Sequence, residues 1–144
     1  MVATETEPLE QGIKTVKELA RNKIPVTLIT DNAVSNFMKE IDIVVVGTDA
    51  IRVTPPYGII NKIGTLNLAL AAKHFKKPFY LVGNTLKIDR RKKFAIEERP
   101  STEVYRKIKG VKIRNPSFDI VNFNLVSKIV TEKGIFTPKQ MSRL

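Results

Sequence analysis

Cysteine and tryptophan are absent from the sequence, and histidine occurs once. The lack of cysteine excludes disulfide bonds, thiolate metal ligands and a cysteine nucleophile within this chain. With a single histidine besides, we expect neither a metal site nor a cofactor. No apolar run approaches the ~18 residues that a membrane-spanning helix needs, and no charged-then-apolar leader opens the sequence. These absences predict a cytoplasmic protein without a membrane partner.

Two phosphate-binding motifs are also missing. The sequence contains no G-x-G-x-x-G and no P-loop, which argues against a conventional dinucleotide or nucleoside triphosphate site. Positive charge, by contrast, is plentiful: the net charge is +11, of which residues 85–144 carry +9. Positive charge is most concentrated in residues 87–93. Such a basic half can bind RNA, although a solvated lysine-rich surface is the alternative, since no aromatic residues interleave with these charges.

Along the chain, short apolar runs alternate with segments in which apolar residues recur at the 3.6-residue period of a helix. Strands are predicted at residues 2–4, 25–30, 41–46, 78–82, 111–115 and 118–121, and helices at 10–21, 33–38, 61–75 and 124–133. Residues 52–60 are predicted to form a loop, and Gly134 to end the last helix. The run 41–46 is mostly β-branched, as in a central parallel strand.

This β-α-β order predicts the α/β class, with a doubly wound, Rossmann-like and mainly parallel sheet that carries helices on both faces. We see no linker long enough for a second domain, so residues 1–144 are expected to form a single domain.

The loops that follow parallel strands share one edge of the sheet. That placement predicts the convergence of six polar residues: Glu5, Gln11, Asp31, Asp49, Asn61 and Lys62. Carboxylates can bind or deprotonate sugar hydroxyls, and Lys62 at a helix N-terminus can attract an anion, so the mixture suits a hydroxyl-rich phosphorylated ligand.

Structural roles compete with that interpretation. Asp49 could hydrogen-bond its own turn. Asn61 and Asp31 could serve as N-caps of helices. Gln11 could be solvated on a first helical turn, and His74 could simply favour a helix C-terminus.

Several segments carry a family pattern. E-T-E-P-L-E-Q-G at residues 5–12 is similar to E-T-R-P-x-x-Q-G, and residues 24–33 are similar to G-I-P-V-T-x-I-x-D-x-A. V-G-T-D-A-I at 46–51, N-K-I-G-T at 61–65 with P-F-Y at 78–80, and T-E-K-G-I at 131–135 complete the series. The chain thereby resembles the translation initiation factor 2B alpha, beta and delta subunits and their relatives, methylthioribose-1-phosphate isomerase and archaeal ribose-1,5-bisphosphate isomerase.

The resemblance implies roles for particular residues. In the isomerases the aspartate of V-G-A-D is the acid that works with a cysteine, which implies a catalytic role for Asp49. It likewise implies that Gln11, Asn61 and Lys62 touch a sugar phosphate, which would isomerise from aldose to ketose by a proton or hydride shift.

The family pattern also implies missing parts. The cysteine and an arginine-bearing phosphate loop lie in an N-terminal helical half, which is expected to be absent before Val2. Glu7 stands where the family usually has arginine, Thr48 replaces alanine, and residues 53–58 replace A-N-G. Catalytic groups that act as a unit fail together, so this chain alone should have little isomerase activity.

Three functions are therefore predicted. The first is an initiation-factor-2B-like binding and oligomerisation module that forms a homodimer and contacts initiation-factor proteins. A sugar phosphate or nucleotide monophosphate would regulate it. The second is a sugar-phosphate isomerase domain that needs the N-terminal half, and the third is RNA binding through the basic C-terminal part.

Overall fold

The computed structural model describes residues 1–143. The backbone divides into two compact units. Unit 1 consists of residues 1–41 and 99–115, and unit 2 consists of residues 42–98 and the chain from Pro116 onward. No helix in the described part of the chain is long and apolar enough to cross a membrane.

Unit 1 begins with a β-α-β arrangement. Strands β1 (Val2–Thr4) and β2 (Thr27–Ile29) pair in parallel, and helix α1 (Gln11–Arg21) connects them. The predicted strand at 2–4 and helix at 10–21 are confirmed. The predicted buried strand at 25–30 is shorter and is not buried, since Leu28 is 42% exposed. The observed strand, β2, pairs with β1 in a two-stranded sheet.

The helix predicted after β2 is short. A 3-10 turn at Asp31–Ala33 leads into α2 (Val34–Phe37). The N-cap prediction for Asp31 is wrong, because its carboxylate accepts hydrogen bonds from the backbone N–H groups of Thr6 and Glu7 instead. In the second stretch of unit 1, residues 111–115 form no strand.

Unit 2 contains two four-stranded sheets. The first has the order β10-β9-β6-β3, and the second has the order β7-β4-β5-β8. The strands are β3 (Val44–Val46), β4 (Ala50–Arg52), β5 (Gly58–Lys62), β6 (Phe79–Val82), β7 (Ile88–Asp89), β8 (Phe118–Asn122), β9 (Lys128–Thr131) and β10 (Gly134–Phe136). The helices are α3 (Thr65–His74) and α4 (Pro138–Met141).

The α/β class is confirmed, and the strand pairing is mixed. β3, β6 and β9 run parallel, whereas β9 with β10, β4 with β5, and β5 with β8 are antiparallel. β3 lies at the end of its sheet, so the expectation of a central strand at 41–46 is wrong. The doubly wound arrangement stays a prediction.

The loop predicted at 52–60 is a β-hairpin. Residues 53–57 make the turn, as Pro55 and Pro56 suggested, but the flanking residues pair as β4 and β5. The following helix begins at Thr65 rather than near Asn61, and its N-cap residue is Gly64. Asn61 therefore lies on a strand, and its predicted capping role is wrong.

The helix predicted at 124–133 is a second hairpin, β9–β10. Short apolar runs fit either period, and here the β-branched run Ile129-Val130-Thr131 favours a strand. Ile129 is fully buried opposite Leu81 of β6. Gly134 has a φ of 118° and follows the T-E-K turn rather than a helix.

The apolar core lies mainly in unit 2. Its buried side chains come from both sheets and both helices: Val44, Ile51, Ile59, Ile60, Ala69, Ala72, Phe79, Leu81, Val121, Phe123, Val126, Ile129 and Met141. Met38 is the buried apolar residue of unit 1 within the described chain. Unit 2 therefore has the larger apolar core on which a site could be held.

Candidate functional site

Asp49, Asn61 and Lys62 lie at the same end of the β4–β5 hairpin. Asp49 immediately precedes β4, and its backbone N–H donates to the carbonyl oxygen of Ile60 at 2.9 Å. Asn61 and Lys62 are the last two residues of β5. Asp49 is exposed, and the other two are half-buried. Within unit 2 the structure therefore brings together an acid, an amide and an amine that solvent can reach.

Hydrogen bonds fix the turn that follows Lys62. The Asn61 side-chain amide donates to Thr65 Oγ1 at 3.0 Å, and Thr65 Oγ1 donates to the Lys62 carbonyl at 2.6 Å. The motif threonine therefore orients Asn61 and the backbone of Lys62. Because this threonine is buried, the arrangement is also protected from competing water.

Asp119, which the sequence analysis did not single out, caps α3. Its Oδ2 accepts hydrogen bonds from the N–H groups of Gly64 and Leu66, each at 2.8 Å. It also lies opposite Asn61 in the β5–β8 ladder. A carboxylate already satisfies these orphan helix donors, so the predicted anion attraction by this helix N-terminus is weakened. The sequence gives no local signal for this role, because Asp119 is 55 residues from Gly64.

We expect Asp119→Ala to lower the free energy of unfolding by about 1–2 kcal/mol, the usual cost of losing a helix cap. Asp119→Asn should cost less, because an amide oxygen still accepts both N–H groups. Urea unfolding followed by circular dichroism measures both variants. Equal losses in the two variants would contradict a hydrogen-bonding role for the Asp119 side chain.

Lys87 extends the site along β7. It immediately precedes that strand, which pairs in parallel with β4, and its Nζ donates to the carbonyl oxygen of Thr48. An open depression on the surface is lined by Asp49, Ala50 and residues 86–91. Lys87 thus adds a cation on the opposite side of β4 from Lys62. The sequence showed it only as one charge in a basic run.

A buried ion pair supports this part of unit 2. Arg52 is fully buried, and its Nη1 lies 3.1 Å from Asp89 Oδ2. Arg91 also binds Asp89, through its Nε at 3.0 Å and its Nη2 at 3.0 Å. Hydrogen bonds from Arg91, together with the nearby charges of Arg91 and Arg52, overcome the effect of burial and lower the pKa of Asp89 to about 2. The carboxylate is therefore ionised at neutral pH.

The T-E-K-G motif has a structural role. Glu132 accepts hydrogen bonds from both the backbone N–H, at 3.0 Å, and the hydroxyl of Thr85. These bonds lower the pKa of the Glu132 carboxyl. The motif thereby ties the β9–β10 turn to the loop after β6, just before Lys87.

The other predicted residues belong to unit 1. Glu5 follows β1, Asp31 follows β2, and Gln11 begins α1 with an exposed side chain. Asp31 holds the backbone of Thr6 and Glu7 at 3.0 and 2.8 Å, so the carboxylate fixes the first motif.

Negative charge gathers around that motif. Desolvation and the charges of Glu5, Glu10 and Asp31 raise the pKa of Glu7. The glutamate that replaces the family arginine therefore lies in an acidic neighbourhood. No cluster of three potential metal ligands occurs within residues 1–143.

Comparisons with known proteins identify the family. The pattern of the Initiation factor 2 subunit family matches residues 1–138. Ribose 1,5-bisphosphate isomerase of Archaeoglobus fulgidus is 44% identical over 96% of this chain and 46% of its own length. Methylthioribose-1-phosphate isomerase of Trichoplax adhaerens is 42% identical over 96% of this chain and 41% of its own length.

A solved structure agrees with the sequence comparisons. The structure of translation initiation factor eIF-2B, subunit delta, from A. fulgidus matches with a TM-score of 0.87 and 34% identity, over 99% of this chain and 46% of that one. The chain therefore spans just under half the length of these relatives. Since the family pattern covers nearly all of its residues, the chain belongs to the Initiation factor 2 subunit family.

Proposed function

We propose that this chain supplies part of the active site of a sugar-phosphate aldose–ketose isomerase. The two relatives at 44% and 42% identity both carry isomerase names, which favours this function over the initiation-factor module that we first predicted. The observation that carries the proposal is the grouping of Asp49 with Asn61 and Lys62 at one hairpin end. Ribose 1,5-bisphosphate and methylthioribose 1-phosphate are the substrates that these names suggest.

Each residue has a chemical role in the proposal. Asp49 exchanges a proton with the ring-opened sugar, since an exposed carboxylate within reach of substrate can act as a general acid or base. Asn61 donates to sugar hydroxyls, and the ammonium group of Lys62 pairs with a phosphate. Lys87 adds a second cation beside Asp49. Gln11, with Glu5 and Asp31 as further candidates, belongs to unit 1, and its contact with a sugar phosphate stays a prediction.

The remaining chemistry comes from outside this chain in our proposal. The chain corresponds to the C-terminal, Rossmann-like half of its longer relatives. Their N-terminal half supplies the cysteine that the family resemblance implies. Homodimer formation and contact with initiation-factor proteins remain predictions, as does RNA binding by the basic run.

The decisive variant is Asp49→Asn. With the N-terminal half of the A. fulgidus isomerase supplied, the wild-type chain should form a ketose product from ribose 1,5-bisphosphate. Asp49→Asn should lower the rate by roughly 10²–10⁴-fold, the usual worth of a positioned acid or base. Substrate should still raise the melting temperature, because Asn61 and Lys62 remain.

Asp42→Asn is the matched control, since Asp42 is also exposed in unit 2 but precedes β3. It should leave the rate unchanged. If Asp49→Asn turns over normally, Asp49 has no catalytic role. If the wild-type chain forms no product and no sugar phosphate raises its melting temperature, the isomerase proposal fails.

A further inference from the structure

The depression beside Asp49 runs along an edge strand. β7 is the outermost strand of its sheet, and the run 86–91 around it supplies most of the lining residues. Ile88 and Asp89 lie opposite Ile51 and Arg52 of β4. Asp49 precedes Arg52 by three residues, so it is roughly 10 Å from the level of Asp89 along the strand. The depression is thus elongated, with Asp49 towards one end.

Arg91 lines the depression beside Asp89, at the level away from Asp49. Its backbone N–H, Nε and Nη2 all donate to the Asp89 carboxylate, at 2.9 to 3.0 Å. Its side chain is nevertheless 76% exposed. Held in this way, an arginine loses less conformational freedom when it binds a ligand than a freely moving side chain does. The guanidinium is therefore a pre-positioned donor at the protein surface.

The charge of Arg91 is not cancelled by its partner. Asp89 carries one negative charge and contacts two guanidinium groups, those of Arg91 and the buried Arg52. The trio therefore has a net charge of one positive unit, and Arg91 is its exposed member. Arg90 and Lys87 also line the depression, and residues 92–93 continue the basic run. The Arg91 end of the depression therefore favours an anion.

We propose that Arg91 is a specificity-determining residue that binds a second phosphate, at C5 of the sugar, while the reacting C1–C2 end lies at Asp49. The inference rests on the proposed function and deepens it. The bonds to Asp89 put the Arg91 guanidinium near the level of that residue, so the two side chains and an extended five-carbon sugar have roughly 10 Å to cover. The chain would then prefer a pentose bisphosphate to a sugar whose C5 carries a methylthio group, because an apolar group gains nothing among these charges.

Two ligands that differ at C5 test the proposal. Ribose 1,5-bisphosphate and 5-methylthioribose 1-phosphate share the C1 phosphate, so titration calorimetry of the full chain with each isolates the C5 group. Arg91→Gln should weaken bisphosphate binding about tenfold and leave binding of the methylthio sugar unchanged, because only the bisphosphate loses a charge-assisted hydrogen bond. Arg143→Gln, the same change at another exposed arginine, should affect neither ligand.

The outcomes separate this inference from the proposed function. Equal weakening of both ligands by Arg91→Gln, or no weakening of either, would overturn the role of Arg91 while leaving the isomerase proposal intact. If the wild-type chain binds neither sugar, the role of Arg91 fails, whereas the turnover assay with the N-terminal half supplied still decides the proposed function. Arg91→Lys adds a further check: it keeps the charge but loses the forked contact with Asp89, so bisphosphate affinity should be intermediate.

Discussion

Replacing Arg52 by alanine should lower the free energy of unfolding by about 3–5 kcal/mol, the usual cost of removing one partner from a buried ion pair. The reason is the number of groups that one side chain satisfies. Its guanidinium donates to Asp89 and Thr54, and to the carbonyl oxygens of Pro55, Pro56 and Arg91, at 2.9 to 3.3 Å. Without the guanidinium, buried acceptors lose their donors, and each acceptor left unsatisfied lowers the free energy of unfolding.

Packing adds to the electrostatic loss. The Arg52 guanidinium lies 4.9 Å from the centre of the Phe94 ring, a cation–π distance. Alanine removes this contact with the ring and leaves the space of the former side chain empty. Because Arg52 joins the β4–β5 turn to the segment after β7, its loss should loosen both, and hydrogen exchange should become faster there.

Two variants check the interpretation. Arg52→Lys keeps a positive charge but has fewer donors, so it should be less destabilising than alanine yet still worse than wild type. Lys139→Ala removes an exposed cation from α4 and should change stability by less than about 0.5 kcal/mol. Denaturant unfolding measures all three variants. An Arg52→Ala loss as small as that of Lys139→Ala would show that the buried ion pair contributes little.

Gly12→Ala should be the most damaging change in unit 1. A Cβ atom at this position would lie 1.7 Å from the carbonyl oxygen of Thr4, far inside any allowed contact. The obstacle is backbone, so it cannot rotate away as a side chain would. The Gly12 N–H also donates to the Glu5 carbonyl at 2.9 Å, which holds α1 against the end of β1. We expect a loss of about 3 kcal/mol, the upper end for overpacking.

Hydrogen exchange by mass spectrometry measures this effect locally. In Gly12→Ala, protection should fall across residues 1–41 and remain near the wild-type level in the core strands of unit 2. Gly47→Ala is the matched control from another family motif, because nothing lies within 4 Å of its added Cβ and its φ is not in the left-handed region. It should be nearly neutral. Uniform loss of protection in both variants would refute the steric explanation.

The contrast between these two glycines shows how far a motif can be interpreted from sequence. Q-G at 11–12 and V-G at 46–47 look alike in the sequence, yet only the first requires glycine for space. The requirement comes from Thr4, whose backbone meets the helix only after β1 and α1 have packed. Local spacing predicted the helix but could not predict that contact.

The sequence by itself determined several properties of this protein. The absence of cysteine excludes a thiol nucleophile in the chain, whatever its fold. The motifs identified the family, which the match over residues 1–138 confirms. The 3.6-residue period predicted α1. Such features depend on residues a few positions apart, so they can be deduced before the chain folds.

Tertiary structure alone decided the rest. Asp119 caps a helix 55 residues before it in the sequence, Arg52 pairs with Asp89 across 37 residues, and Glu132 binds Thr85 across 47. The β-branched run at 129–131 favours a strand, but its local pattern does not exclude a helix, and burial of Ile129 against β6 accompanies the hairpin. Hydrogen bonds and burial of this kind form only when distant segments meet, so no local propensity encodes them.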